Sequence, residues 1–219
     1  MRASAGGATV AYVRAAEREE QIVAAAIRVL SEVGVPGTTL RAVAAEAGVP
    51  LGTLHYGFPS KDKLFRAVIA TVIRDISDAL AAGLELDRGV EHALRQGVTS
   101  FWSTLVEGGV GLQLMEYELA AYSLRSEPEG GLARLQFERC GSDVTEFCEQ
   151  AARAAGERCA VGFDTLGRIA LAQVDGLILQ YVARPDPVRA RRDLDHALDM
   201  LVLFAVPRPV PHGATERSR

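Results

Sequence analysis

The sequence predicts an all-α protein built as a small helical head on a larger helical body. Three observations carry that expectation. Alanine and leucine dominate while aromatics make up only 6 %, a composition that favours helices over strands. Apolar residues recur at helical spacing through most of the chain. Glycine and proline breakers fall at helix-length intervals, with no strand-like alternation and no internal repeat.

Residues 1–13 are expected to be a flexible arm. From Arg14 the pattern turns helical, and Ile22, Val23, Ala26, Ile27, Leu30 and Val33 mark one apolar face. Gly34 offers a left-handed cap, and Pro36-Gly37 opposes continuation. Thr38 or Thr39 can cap a short second helix whose inner face is Val43, Ala44 and Ala47, stopped by Gly48. A third helix lies between Pro50 and Pro59, and Leu54 and Phe58, four apart, face the core. Ser60 then caps a longer helix carrying Leu64, Phe65, Val68, Ile69, Val72, Ile73 and Ile76. The body reads as helices over 88–106, 110–126, 130–156, 164–183 and 187–205, and 207–219 as a disordered tail.

Apolar residues make up 48 % of the 219, enough for a sizeable core, and no run is long enough to cross a membrane. No secretory leader is evident. Cys140, Cys148 and Cys159 have no CxxC spacing and read as reduced thiols, which points to the cytoplasm. Net charge is −4, but its distribution is uneven: residues 1–70 hold eight Lys/Arg against six Asp/Glu, and the remainder is acidic. A mildly basic head on an acidic body leaves nucleic acid open as a partner of the head.

Two short helices joined through a tight glycine turn are the signature of a helix-turn-helix. The second can be short because its inner side rests on its neighbours while its outer side enters a major groove.

The run "TTLRAVAAEAGVPLGTLHYGFPSKDKLFRAV" resembles the DNA-binding domain of the TetR family of repressors. The family pattern is matched at Thr39, Arg41, Ala44, Ala47, Gly48, Val49, Gly52, Thr53, Leu54, Tyr56, Phe58, Ser60, Lys61 and Leu64. The resemblance implies a three-helix DNA-binding domain at 14–70 and a helical ligand-binding and dimerisation domain at 71–206. It implies DNA contacts from Thr39, Arg41, Leu51, Gly52, Thr53, His55, Tyr56, Ser60 and Lys61. The chemistry of these residues agrees. Gly52 lets the helix approach the duplex, Thr53 suits a base edge or thymine methyl, and Tyr56 can donate to phosphate. Lys61, in the first turn of the next helix, joins free N–H groups as a phosphate site. Two residues depart from the pattern. Pro50 replaces a capping hydroxyl, and Gly57 stands where the family places a ring that reaches DNA.

For the body, the resemblance implies a homodimer and a small-molecule effector. A dimer also follows from the reading of DNA, because two-fold symmetry doubles the contacts on a palindromic operator. The expected dimer face is Leu177, Tyr181, Leu194, Leu198, Leu201 and Val202, on the last two helices. Trp102, Met115, Tyr117, Glu118, Tyr122, Phe137, Phe147, Gln173 and Asp175 are the expected ligand-binding residues, polar anchors among apolar helix faces. Glu118 and Asp175 have an alternative as solvated or arginine-paired groups, and Gly176 suits a close helix approach. An apolar or amphipathic effector is expected to shift the dimer toward a spacing that fits DNA poorly.

No HExxH, GxSxG, Walker or GxGxxG pattern is present, and His92, His196 and His212 are scattered. No catalytic residue, metal site or cofactor is expected. The alternative reading is a helical partner- or ligand-binding protein whose DNA specificity has degraded, for which Gly57 is the argument.

Overall fold

The computed structural model describes residues 5–83, 85–126 and 131–210. Among them the chain forms α1 (Ala5–Gly37), α2 (Leu40–Glu46), α3 (Leu51–Gly57), α4 (Lys61–Gly83), α5 (Gly89–Gly108), α6 (Val110–Ser126), α7 (Gly131–Ala155), α8 (Phe163–Ala183) and α9 (Pro187–Ala205). A 3-10 turn at Leu86–Arg88 precedes α5. The only strands among the described residues are the two-residue β1 (Glu157–Arg158) and β2 (Arg208–Pro209), paired antiparallel. The body helices agree with the expected ranges to within about two residues at each end.

Three expectations change. Helix α1 begins at Ala5, ahead of the start expected at Arg14. Val33, placed on the inner face by its spacing, is half exposed, because the apolar stripe of α1 ends at Leu30. Residues 208–209 belong to the fold rather than to a tail: they pair with 157–158, and the Val210 amide donates to the Gly156 carbonyl at 2.7 Å. The rest of the expected tail (211–219), the first four residues of the expected arm and the breaker at Pro128–Gly130 lie outside the described residues.

The described chain divides into two compact units. The first is Met1–Arg74 with Gly108–Gln136, and the second is Asp75–Glu107 with Phe137–Arg219. In the first, Ile22, Leu30, Val43, Leu54, Leu64, Phe65 and Ile69 are buried together with Met115 and Leu119 of α6. Helix α6 also caps its successor: the buried Ser123 hydroxyl accepts the Leu132 and Ala133 amides at 2.8 and 3.1 Å. In the second, Val90, Leu94, Cys148, Ala152, Leu166, Ala170, Leu201 and Ala205 form one cluster. Helices α7 and α8 meet closely where a Cβ on Gly167 would lie 2.8 Å from the Gly141 carbonyl oxygen and 2.5 Å from Thr145 Oγ1. The β1–β2 pair positions Glu157, whose carboxylate accepts the Val90 amide at the start of α5 at 2.9 Å.

Candidate nucleic-acid interface

The helix-turn-helix forms because each turn is closed locally. Thr39 N-caps α2, its hydroxyl accepting the Ala42 amide at 3.0 Å. The buried Thr38 instead donates to the Gly34 carbonyl. At the other end Gly48 takes φ +65°. The Val49 amide donates to Ala44 O and the Gly48 amide to Ala45 O, the paired bonds of a Schellman cap. Pro50, at φ −58°, is the N-cap of α3 and provides no side-chain bond. Ser60 caps α4 weakly through the Lys63 amide at 3.3 Å. Helix α1 fixes α2 from outside: Gln21 donates to the Ala47 carbonyl at 2.7 Å, and Arg28 pairs with Glu46 at 2.7 Å.

These contacts decide which side of α3 is free. Leu54 and Phe58 are buried, and helical periodicity puts Gly52, Thr53 and Tyr56 on the opposite face. Tyr56 is 94 % exposed, an unusual position for an aromatic side chain with no partner among the described residues. Thr39, Arg41, Gly52 and His55 are exposed, and Leu51, Thr53, Ser60 and Lys61 are half-buried. A Cβ on Gly52 would meet nothing within 4 Å, so the space over it is open to a duplex. Gly57 is different. It lies on the flank of α3, where a Cβ would make ordinary contact with Glu19 at 3.8 Å.

The expected ligand-binding residues on α6 do something else. Gly111 abuts the Ser31 carbonyl, Met115 is 1 % exposed with its sulfur 3.8 Å from Ser31 Oγ, and Glu118 Oε2 accepts the Val35 amide at 2.6 Å. Tyr122 donates to Asp62 Oδ1 and packs edge-on against Phe65. Positions 111, 115, 118 and 122 are one helical stripe, and it is spent on α1 and α4. In this structure Glu118, Met115 and Tyr122 serve as packing contacts of the first unit. Tyr117 is half-buried.

In the second unit Trp102 is buried edge-on to Tyr181, with ring centroids 5.6 Å apart. Phe137 and Asp175 come together on the walls of an open groove of about 1160 Å³ between α7 and α8. Its lining also holds Glu138, Glu146, Glu149 and Arg153, and Arg168 is tied to Asp164 at 2.9 Å. Burial pushes the Asp175 carboxyl up to about 6. Phe147 and Gln173 are half-buried and outside that lining, and the Gln173 Oε1 atom is buried without a hydrogen bond among the described residues.

The family profile described as "Bacterial regulatory proteins, tetR family" matches residues 22–68, which run from within α1 through α2 and α3 into the first part of α4. The resemblance extends beyond that segment. A member of the TetR family from Streptomyces coelicolor superposes with a TM-score of 0.63 at 27 % identity, covering 89 % of this chain and 99 % of that one. The chain resembles TetR-family regulators over most of its length. It is a DNA-binding transcriptional regulator and not an enzyme. The HTH-type nicotine-responsive transcriptional repressor HdnoR of Paenarthrobacter nicotinovorans is 25 % identical over 84 % of this chain and 93 % of its own length. The multidrug binding protein EbrR, solved with imidazole, is 28 % identical with a TM-score of 0.64, over 90 % of this chain and 93 % of that one.

The expected dimer face of this regulator needs a second correction. Leu194, Leu198 and Leu201 are at most 2 % exposed and pack inside the protomer, because they lie on the side of α9 that faces its own core. Leu177, Tyr181 and Val202 are half-buried. The exposed large apolar residues on the same two helices are Ile169 and Leu179 of α8 and Val188, Met200, Leu203 and Phe204 of α9. Ile169, Ala172, Gly176 and Leu179 make one stripe, and a Cβ on Gly176 would meet nothing within 4 Å. The signal was available in the sequence: α9 is apolar on two sides, and only one can serve the core. No helix among the described residues is long and apolar enough to cross a membrane.

Proposed function

We propose that this regulator is a cytoplasmic repressor that grips a palindromic operator as a homodimer and is released by a small apolar or amphipathic molecule. Residues 14–70 bind DNA, and 71–206 carry dimerisation and effector binding. The observation that carries the reading is the outer face of α3, where Tyr56 stands 94 % exposed beside open Gly52. In this reading Thr53 and Leu51 meet base edges, Arg41 and His55 reach base or backbone, and Thr39, Tyr56, Ser60 and Lys61 hold phosphates.

The exposed stripe of α8 with Met200 and Leu203 of α9 supplies a second copy with an apolar contact. For the effector, the groove walled by Phe137 and Asp175 offers an aromatic edge and carboxylates. The names of the relatives, a nicotine-responsive repressor and a multidrug binding protein, support a small-molecule effector.

Selection from a random duplex library, followed by titration of the winner at two salt concentrations, tests the reading. A palindromic winner with steep salt dependence is expected. No enriched sequence would favour the alternative of a helical ligand-binding protein with degraded DNA specificity. Lys61→Ala should weaken binding to all duplexes and reduce the magnitude of the log–log salt slope by about one. An unchanged slope removes Lys61 from the phosphate set. Thr53→Ala should alter the selected sequence more than the non-specific affinity, and selection of the wild-type site would show that Thr53 reads no base.

A further inference from the structure

Asp62 puts a negative charge one residue from Lys61, in the first turn of α4. A carboxylate suits a helix N-terminus, but it opposes a phosphate arriving at Lys61 and Ser60. A loose Asp62 weakens the grip in two ways: it pairs with Lys61, or it repels the phosphate directly. The fold gives it another partner. Tyr122 of α6 donates its hydroxyl to Asp62 Oδ1 at 2.9 Å. The tyrosine ring stands edge-on to Phe65, with centroids 5.5 Å apart and planes at 86°, and Phe65 is 1 % exposed. One turn earlier on α6, Glu118 holds the Val35 amide, so Tyr122 projects from a helix already fastened to α1. Lys61 has no carboxylate partner among the described residues.

We propose that Tyr122 is a positioning residue for operator binding: it holds the Asp62 carboxylate against α6 and leaves Lys61 free for phosphate. This rests on the reading above that Lys61 contacts phosphate. The hydroxyl acts on a charge and not on the duplex, so its effect must depend on that charge and on salt.

Tyr122→Phe deletes one oxygen and keeps the ring on Phe65. In the full chain, titrated with its selected operator, affinity should fall about three- to tenfold at low salt, and the loss should shrink as added salt screens the released carboxylate. In an Asp62→Asn background the same substitution should change affinity by less than about twofold, because the charge it restrains is gone. Asp62→Asn alone should bind at least as tightly as the wild type. Thermal midpoints of each variant report folding separately. Equal losses in both backgrounds and at both salts would mark a merely structural tyrosine and overturn the proposal. Wild-type affinity for Tyr122→Phe would overturn it too, and weakened binding by Asp62→Asn would do so without need of the tyrosine variant. The Lys61→Ala slope separates the two levels. An unchanged slope removes the phosphate reading and the proposal with it. A reduced slope with losses that ignore Asp62 overturns the proposal alone.

Discussion

Gly34→Ala should destabilise the protein by roughly 2–5 kcal/mol, the sum of a backbone and a hydrogen-bond penalty. Gly34 sits at φ 70° and ψ 175°, inside the span of α1, in a region that only glycine occupies readily. A Cβ there would also lie 2.6 Å from Glu118 Oε2 and 3.0 Å from Oε1. The carboxylate is the end of a flexible side chain and can swing away. Its departure would leave the Val35 amide, now bound at 2.6 Å, without its acceptor. Both penalties fall on the joint between α1 and the turn that leads to α2, so operator affinity should fall with stability. Chemical denaturation compares the two proteins, and an unchanged midpoint would show that neither the conformation nor the Glu118 contact matters.

Asp175→Asn should stabilise the protein at neutral pH and leave it unchanged near pH 4. Burial raises the Asp175 carboxyl from its ordinary 3.8 to about 6. The folded state therefore binds this proton more tightly than the unfolded chain. Below 3.8 both states are protonated and the burial of charge costs nothing. As pH rises toward 6 the unfolded chain ionises first, and above 6 the folded state carries the full cost of a buried carboxylate. An upper bound on that cost is roughly 3 kcal/mol, at about 1.4 kcal/mol for each tenfold change in proton affinity. Asparagine keeps the shape and cannot ionise, so the two thermal midpoints should separate between about pH 4 and 6 and stay apart above it. A gap that is constant with pH, or an asparagine variant less stable at about pH 7.5, would rule out the burial account. An organic cation in the α7–α8 groove would oppose the same cost, so the position suits an effector contact.

The helix-turn-helix was legible because its instructions are local. Thr39, Gly48 and Ser60 act on amides within a few residues of themselves, and Leu54 with Phe58 shows the inner face within one turn. The body helices were legible for the same reason, since glycines and prolines mark their ends. The contacts of α6 were not. Glu118 meets an amide 83 residues earlier, and no spacing in α6 distinguishes a carboxylate that will hold a main-chain amide from one awaiting a ligand. Helix α6 is also covered on more than one side, with Gln113 and Ser123 buried beside Met115 and Leu119, so polarity did not mark its inner face. The β1–β2 pair is two residues long, too short to show alternation. Leu194, Leu198 and Leu201 were placed on a dimer face because an apolar stripe does not reveal whether its partner is the same chain or another copy.

The compact unit that carries the helix-turn-helix is not a continuous piece of the sequence. Helix α6 enters the chain after α4 and α5 yet shares a unit with Met1–Arg74, and it covers Phe65 and holds the Val35 amide. A chimera spliced after Arg74, grafting this reading head onto a foreign sensor, would discard Tyr122, Glu118 and Met115 and present the donor's interior to whatever the recipient supplies. On the operator reading proposed above, retargeting means repainting the outer surface of α2 and α3, or transplanting 108–136 together with residues 1–74. Cutting where the sequence motif ends would sever what the fold has joined.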